Sequence, residues 1–445
     1  MSLQSAAIST HPLDSFDRHE RRAAVRRCAG AMPPPVPPNA GAPVNMHLHT
    51  FFSFNIAGFS PSHVAVQARD WGLYAAATTD FDVLDAADEF LDAASVLGLR
   101  AAAHIETRVY APEFAAVETN SPGEPGICYV MGAAFPRTPR PGMPTFAMAQ
   151  ELRARAAVRN ADVVARINAL LPAVAVSYER EVAGRTPGHS PTERHIVRAY
   201  LARAAQVFPG VAERAAFWSG VLQQPAEAIA ALPDGALQDL VRRRLIKHGG
   251  VAYQQPGPAS FPEIGAFFDW VRDSSAIPMA AWRDGTSGGE SDPAEWLDAL
   301  EARGAAAVNV VPGLVTDPHR LERLMTEVTR RALPVGVGTE MNAAGLADYD
   351  DLDSSLLAPY RETFVAGAEV LVGHTILARH AAFPYCGAGA AERYPDRKRR
   401  NEFFAAVGRL PPPDPAAAAR LADLGPEAAL GHLRDAARHT GARRG

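Results

Sequence analysis

The sequence predicts an α/β fold arranged as a barrel. Three observations support this: strand and helix patterns alternate, strand candidates are numerous, and glycines follow the helices. Short apolar strand candidates alternate with helical patterns from residue 44 to about 135, and strand candidates return after residue 256. About eight are present in total, which is close to the number in a (β/α) barrel. Gly72 and Gly98 follow the first two predicted helices, where a C-terminal cap is expected.

The elements of the first half follow one another in a regular order. VNMHLH is the first strand candidate, and PSHVAVQARDWG is the helix after it. The next elements are the strand AAATTDFD, the helix AADEFLDAASVLG and the strands RAAAHIETRVY and ICYVMGAAF. Because strands that alternate with helices pair through right-handed crossovers, we expect parallel pairing in this segment. The second half contributes IPMAAW, AAVNVVPG, LPVGVGTE and VLVGHT as strands.

The predicted organisation has five parts. Residues 1–43 are a disordered or extended arm that ends in the run PPPVPP and stays outside the core. Residues 44–144 are the first part of the barrel. Residues 145–255 are a helical insertion, because three helical patterns follow one another there without a strand. Residues 256–410 are the second part of the barrel, and residues 411–445 are a C-terminal helical tail.

Composition narrows the functional classes. The 445 residues carry a formal net charge of −5, which argues against a general nucleic-acid-binding protein. The three cysteines form no CxxC pair, which argues against a disulfide scaffold and fits a reducing cytoplasm. The N-terminus lacks the apolar run of a signal peptide, and no stretch has the length and apolarity to cross a bilayer. We expect a cytoplasmic protein that binds a small-molecule substrate, with neither nucleic acid nor membrane as partner. The oligomeric state stays open.

His47 and His49, at the end of the first strand, are the strongest local signal for chemistry. Residues two apart in a strand point to the same side, so the two imidazoles can bind one ion. A loop follows, and the loops after barrel strands are where barrel enzymes hold their active sites. The structural alternative is one packed and one exposed histidine.

Three carboxylates, Asp80, Glu106 and Glu340, lie at the ends of later strands. Their strands end at the same mouth of the predicted barrel, so these side chains should converge with the histidines. Imidazole and carboxylate together suit zinc, manganese or iron. A single strand-end carboxylate often only caps the next helix, whereas three beside a histidine pair are harder to explain in that way.

These motifs resemble those of the polymerase and histidinol phosphatase (PHP) family. The segment HLHTFFS from His47 is similar to the family's HxHTxxS, and TTDFD is similar to its TDHD. Glu106 matches a glutamate after a strand, and GTEMN, which contains Glu340, takes the place of a late GSDxH. The resemblance runs from about residue 44 to 380, interrupted by the insertion. It implies a distorted (β/α)7-type TIM-like barrel, up to three metal ions and hydrolysis of phosphate monoesters.

Four histidines of the family pattern are replaced in this chain. The replacements are Phe81 in TDFD, Asn342 in GTEMN, the segment CYVMG from Cys128, and AWR in place of AHP. By the resemblance, the ligands of the first metal are retained as His47, His49, Glu106 and Glu340, and the losses concern the second and third metals. The expected cofactor is therefore one divalent ion per chain, zinc, manganese or iron.

Asp80 has two roles open to it. It is either the catalytic general base for the metal-bound water or a hydrogen-bond partner that holds a histidine ligand. Asn342, which replaces an imidazole, can offer its amide to the substrate.

Five further residues are candidates for binding the substrate. Arg194 and His195 resemble the RPHIA segment of the family's insertion, and Arg283 and Asp284 lie in a glycine-rich loop after a strand. His374 ends the strand candidate VLVGHT. The structural alternatives are a helix surface for the first pair and a packed side chain for His374.

The leading hypothesis is a metal-dependent hydrolase of PHP type that acts on a small phosphorylated or oxygen-rich molecule through a metal-activated water. A single ion lacks the clamp of paired metals, so phosphate hydrolysis follows less directly than for an ordinary member. The alternatives are a catalytically silent, PHP-like domain that binds a ligand or partner, and an isomerase or lyase with one metal. A role in DNA synthesis is not expected, because the chain has no room for a polymerase.

Overall fold

The computed structural model describes residues 11–37 and 41–442. Its seven strands form one sheet in which each strand pairs with the next in chain order. The strands are β1 (Val44–Leu48), β2 (Ala75–Phe81), β3 (Arg100–Tyr110), β4 (Ile127–Ala133), β5 (Ile277–Trp282), β6 (Ala307–Val310) and β7 (Val335–Val337). The sheet is barrel-shaped and nearly closed, which confirms the predicted fold class.

The barrel closes where the ends of β7 and β1 meet. The backbone N–H of Glu340 donates to the carbonyl of His47 at 2.7 Å, and the N–H of His49 donates to the carbonyl of Glu340 at 3.0 Å. Gly338 makes this approach possible, because a Cβ there would lie 2.5 Å from the backbone nitrogen of His47. The seam therefore joins the predicted metal ligands of the first and last strands.

The prediction of parallel pairing is wrong for β4. Strands β1 to β3 pair in parallel, as do β5 to β7, but β4 runs antiparallel to both of its neighbours. A parallel pair needs a crossover that is usually a helix. The connection from β3 to β4 holds only the 3-10 turn Pro112–Phe114, so the chain returns in the opposite direction.

Helices surround the sheet and continue beyond it. They are α1 (Arg18–Ala29), α2 (Pro61–Asp70), α3 (Ala87–Leu97), α4 (Phe146–Leu170), α5 (Glu193–Val207), α6 (Val211–Leu222), α7 (Ala226–Ala231), α8 (Asp234–Leu245), α9 (Ile264–Asp273), α10 (Pro293–Ala302), α11 (Pro318–Arg330), α12 (Arg361–Ala381), α13 (Ala388–Arg393), α14 (Arg397–Gly408), α15 (Pro415–Leu424) and α16 (Pro426–Ala442). Several barrel helices begin with a capping side chain followed by proline, which satisfies free N–H groups and presets the first turn. Ser60, Asp292 and Asp317 are the caps of α2, α10 and α11.

Helices α4 to α8 have a hydrophobic core of their own. Ile167, Tyr200, Trp218 and Leu222 are buried in a cluster separate from the barrel core. This region occupies the part of the sequence in which the helical insertion is predicted.

The interpretation of VLVGHT as a strand is wrong, because these residues lie within α12. The helix is buried on most of its surface, and a short apolar run does not distinguish a strand from a buried helix. Gly373 lets α14 approach closely, since a Cβ there would lie within van der Waals overlap of the Phe404 carbonyl. His374 is therefore part of the packing between α12 and its neighbours.

The structure also differs from the predicted N-terminal arm. Helix α1 begins at the cap Asp17 and buries Ala24 and Val25 in the barrel core. Farther along, the carbonyl of Val36 accepts a hydrogen bond from Arg100 at 2.9 Å. The proline run constrains only the residues next to it, so the apolar side chains ahead of it remain free to form a packed helix. Residues 1–10 and 38–40 of the predicted arm lie outside the described residues.

Among the residues that the structure describes, no helix combines the length and the apolar character needed to span a membrane.

Candidate metal centre

The end of β1 brings two imidazoles next to a carboxylate of β3. The Nε2 atoms of His47 and His49 lie 3.6 and 3.8 Å from Oε2 of Glu106. The three atoms lie within 4.8 Å of one another, and all three side chains are buried. We refer to these three residues as the buried triad. A tetrahedral ion with bonds of about 2.0–2.2 Å has ligands about 3.3–3.6 Å apart, so the triad has nearly the spacing that a metal requires.

The facing atoms of the buried triad have no hydrogen-bond partner. Nε2 of His47, Nε2 of His49 and Oε2 of Glu106 are each shielded from solvent and unpaired. Leaving a buried polar atom unpaired costs about 1–3 kcal/mol, and more for a charged group. A bound cation would satisfy all three lone pairs at once, so the residues present fit a divalent metal.

Burial and the neighbouring charges set the protonation of the triad. Burial, together with the charges of His47 and Arg194, lowers the pKa of His49 well below its usual value, so this imidazole is neutral. Neutral imidazole is the form that binds metal. Burial raises the pKa of Glu106. Burial alone would lower the pKa of His47. The nearby Glu106 carboxylate has the larger effect, so the pKa of His47 is raised.

Asp80 holds the histidine loop in place. Its carboxylate accepts hydrogen bonds from the Thr50 N–H at 2.8 Å, from the Thr50 hydroxyl at 2.7 Å and from the Ser53 hydroxyl at 2.6 Å. Ser53 Oγ lies 3.0 Å from Nδ1 of His49. Burial raises the pKa of Asp80 to about 6. The HLHTFFS motif thus links a metal-ligand candidate to Asp80 through Ser53.

Asn309 of β6 supports the other imidazole, and the sequence reasoning missed it. Its amide nitrogen, Nδ2, lies 3.1 Å from Nδ1 of His47, its amide oxygen has no partner, and the residue is buried. With the amide oxygen turned toward the ring, Nδ1–H donates and Nε2 keeps the lone pair that a metal needs. A polar residue inside the apolar strand VNVV is the signal that points to this role.

Glu340 lies close to the triad but outside it. Its carboxylate oxygens are not within 4.8 Å of all three ligand atoms of the triad. Oε2 of Glu340 accepts a hydrogen bond from the Asn342 amide at 2.7 Å. Glu340 and Met341 both have left-handed backbone conformations, with φ of 67° and 54°. Such conformations cost about 1–3 kcal/mol and persist where the surroundings fix them, as the bonds across the barrel seam do here.

A cavity of about 550 Å³ opens beside the triad, and we call it the main cavity. It lies between the barrel and helices α4, α5 and α8, and Glu106, Glu340, Asn342 and Asn309 contribute to its wall. Half of the remaining lining side chains are aromatic or charged. They include Phe54, Phe81, Tyr129, Phe261, Trp282, Arg108, Arg159, Arg194, Arg242, Lys247, Arg283, Asp82, Glu124 and Glu193.

Phe81 stands at the position where the PHP pattern has a histidine. Its ring stacks on His49 with centroids 5.0 Å apart and planes 16° apart. It also meets the edge of Tyr129, with centroids 6.0 Å apart. Phe81 has no donor atom, so this position cannot supply a ligand to a further ion.

Two of the predicted substrate-binding residues besides Asn342 line the main cavity. Arg194 is paired with Asp239 at 2.9 Å. Arg283 has no ion-pair partner among the described residues. Its loop is fixed by Glu290, a buried carboxylate that accepts from the N–H groups of Arg283 at 3.0 Å and Gly285 at 3.3 Å.

The other three candidates serve the local structure. His195 caps α5, where its Nδ1 accepts from the Thr192 N–H at 3.1 Å. Asp284 forms a turn by accepting from the N–H and hydroxyl of Thr286. Both ring nitrogens of His374 are hydrogen-bonded to backbone, to the Ser275 carbonyl and the Tyr385 N–H. None of the three is among the residues that line the main cavity.

A second group of possible ligands lies near the N-terminus, and we call it the surface triad: His11, Asp14 and His63. Its Asp14 carboxylate accepts from the Ser60 N–H at 2.8 Å and lies 2.8 Å from Nδ1 of His63. The rings of His11 and His63 stack 5.0 Å apart. Here the polar atoms bind one another and the start of α2.

Comparison with known proteins gives fold-level likenesses. No family model and no curated protein sequence matches the chain. A structure from Bifidobacterium adolescentis, described as a candidate metal-dependent phosphoesterase, is similar at 20% identity and a TM-score of 0.47, over 74% of this chain and 97% of that chain. An amidohydrolase from Chromobacterium violaceum, with bound sulfate and no metal, is similar at 14% identity and a TM-score of 0.48, over 73% of this chain and 97% of that chain.

Proposed function

We propose that the chain is a metal-dependent hydrolase that acts on a small anionic, oxygen-rich molecule such as a phosphate ester. The observation that supports this is the buried triad: three unpaired ligand atoms that converge beside a cavity large enough for a substrate. Ligand pockets for small molecules have volumes of about 300–1,000 Å³. The main cavity falls within that range.

His47, His49 and Glu106 would hold one divalent ion, and Glu340 would supply a fourth donor after releasing Asn342. When bound, such an ion supplies Lewis acidity and lowers the pKa of a water ligand. The mixed nitrogen and oxygen donors suit zinc, manganese or iron. Phe81 favours one ion over several, because a phenyl ring at this position has no donor atom for a further ion.

The charges of the main cavity favour an anionic substrate. Seven cationic and six acidic side chains line it, and two of the acids, Glu106 and Glu340, would be neutralised by the ion. The remaining acids are outnumbered by the cations. Arg283 has no carboxylate partner among the described residues, so its guanidinium can bind a phosphate or carboxylate group of the substrate.

The chain's own side chains would orient the reactants. Asn342 has an amide group beside Glu340 at the cavity wall, where it can hold a substrate oxygen. We infer that Asp80 is a positioning residue, since its carboxylate is occupied by Thr50 and Ser53 and is not part of the cavity lining. It would fix the tautomer and orientation of His49 through Ser53.

The test is to purify the protein, measure its metal content, and assay it on a panel of phosphate monoesters, phosphodiesters, lactones and amides. We expect about one equivalent of metal and hydrolysis of an anionic substrate. Glu106→Gln should lose most of the metal and the activity. Arg283→Ala should keep the metal and raise KM, because it removes a contact to substrate only.

Three results would overturn the proposal. Less than about a tenth of an equivalent of metal after incubation with zinc, manganese or iron would refute the metal centre. A fully loaded protein that turns over nothing on the panel would favour a ligand-binding domain, and a product formed without addition of water would favour an isomerase or lyase.

A further inference from the structure

A second, smaller cavity lies on the outside of the barrel, away from the buried triad. It is a groove of about 250 Å³ between α1, α3, α12 and the start of α15, and it shares no lining residue with the main cavity. Arg18, Arg22 and Arg26 of α1 form one side, and Arg379 of α12 faces them. We call it the arginine groove.

The arginines of the groove are poorly compensated. Arg18, Arg22 and Arg26 follow one another at four-residue intervals, so they share one face of α1. Like charges at this spacing destabilise a helix by about 0.2–0.5 kcal/mol per pair. The arrangement opposes helix formation unless negative charge lies nearby.

A single carboxylate serves three of these guanidinium groups. Asp92 lies 2.7 Å from Arg379, 3.6 Å from Arg22 and 3.7 Å from Arg18. Arg26 has no ion pair among the described residues. The groove therefore carries an excess of positive charge.

The other acid of the groove is already engaged. Glu89 is buried and is hydrogen-bonded to Arg21 and to the Ser62 hydroxyl. It also lies 4.0 Å from Arg18, but its charge is shared with the buried guanidinium of Arg21, so two carboxylates, Asp92 and Glu89, face five guanidinium groups here.

Ser62, Ser95, Thr375 and His380 also line the groove, and its other wall is apolar. It is formed by small and branched side chains of α3, β3 and α12 and by the prolines that precede and begin α15. They are Leu91, Ala93, Ala94, Val96, Leu99, Ala101, Val372, Ile376, Pro412, Pro413 and Pro415. An apolar wall beside clustered guanidinium groups matches a ligand with a hydrocarbon body and a charged head.

We propose that the arginine groove binds a small organic anion that has one anionic head group and an apolar body. The head would lie among Arg18, Arg22, Arg26 and Arg379, where guanidinium groups can donate paired hydrogen bonds to its oxygens. The body would lie against the residues of α3 and α12. The volume, just below that of drug-sized pockets, limits the ligand to a small molecule. This site is independent of the proposed hydrolase function.

The probe is octanoate, and its binding is measured by isothermal titration calorimetry at low ionic strength. Acetate, which has the carboxylate but almost no apolar body, is the control ligand. We expect one equivalent of octanoate to bind, and acetate to bind at least ten-fold more weakly. Arg22→Ala combined with Arg26→Ala should weaken octanoate binding at least ten-fold. Arg27→Ala is the matched control, since Arg27 is an exposed residue of the same helix that does not line the groove.

A third variant separates the groove from the metal centre. His47→Ala with His49→Ala removes the proposed metal ligands and should bind octanoate as the wild type does. No binding at millimolar octanoate, or equal binding by the Arg22/Arg26 double variant with its fold intact by circular dichroism, would overturn the proposal. Equal affinity for acetate would overturn the apolar part of it, and loss of binding in the histidine variant would assign the octanoate to the main cavity instead.

Discussion

The buried triad and the surface triad have the same kinds of residues, two histidines and one carboxylate, at similar spacing. They differ in what their polar atoms contact. The facing atoms of the buried triad are shielded from solvent and unpaired. In the surface triad, the Asp14 carboxylate is paired with His63 and with the Ser60 N–H at the start of α2.

This difference teaches that residue type and proximity do not suffice to identify a metal site. The surface triad is a stable arrangement without an ion, because its hydrogen bonds join the N-terminal segment to α2. The facing atoms of the buried triad have no hydrogen-bond partner, and a bound cation would satisfy all three. The predictions that follow test this distinction, in order of decreasing effect.

The largest effect is expected when a metal ion is added to the metal-free protein and the free energy of unfolding is measured. Zinc or manganese added to chelator-treated protein should raise the free energy of unfolding by about 4.1 kcal/mol when the free metal is a thousand-fold above Kd. His47→Ala with His49→Ala should abolish this gain, and His11→Ala with His63→Ala should retain it. Chemical denaturation with and without metal measures both. If the variant with His11→Ala and His63→Ala is no longer stabilised by metal, the surface triad and not the buried triad would be the metal site.

Glu290 is intermediate between the triads, since it is buried but bonded to backbone N–H groups. Burial raises its pKa from 4.5 to about 7. The folded state therefore holds the proton more tightly, and the resulting stability is full below pH 4.5 and is lost as pH rises to about 7. Relative to Glu290→Gln, which is neutral throughout, the wild type should lose about 3 kcal/mol across this range. Urea titrations at several pH values measure it, and a flat difference would contradict the prediction.

A smaller effect is expected at Asn309, which lies 3.1 Å from Nδ1 of His47. Asn309→Leu should weaken metal binding about 10–100-fold, because the ring loses the acceptor that fixes its tautomer. Asn309→Asp supplies an oxygen at the same place and should recover most of the affinity. Competition with a chromogenic chelator gives both values. If leucine and aspartate behave alike, the residue has only a packing role.

The smallest effect is expected in the surface triad. His63→Ala removes the partner of Asp14 and should cost about 1 kcal/mol of stability, the usual net value of one hydrogen bond. The metal content should not change. A fall in bound metal would show that this group also holds an ion.

The sequence predicts the barrel well because periodicity is a local property. The two imidazoles lie side by side since residues two apart in a strand share a face, and Glu106 lies within β3, two places along the sheet. The same local patterns fail for VLVGHT. Its run of apolar residues suits a buried helix as well as a strand, and only packing against α14 decides between them.

The parts of the site that the sequence did not reveal depend on contacts between distant residues. Asn309 has no motif around it, and its role follows from the barrel, which brings β6 within reach of β1 although β7 lies between them. Glu340 matched a ligand position in the motif, yet its carboxylate is held by Asn342. The proline run led to the prediction of an extended arm in place of helix α1, although the apolar residues of this helix reach the core.

The seam between β7 and β1 has a consequence for how the protein acquires its chemistry. The Asn45 amide donates to the Thr339 hydroxyl across 294 residues of sequence, beside the backbone bonds between Glu340 and the histidine strand. Contacts of such long range form late and slowly, because the whole intervening chain must be ordered first. A nascent or truncated chain would therefore fold much of its barrel before it could close the wall that contains Glu340. Metal uptake would then mark the completion of folding.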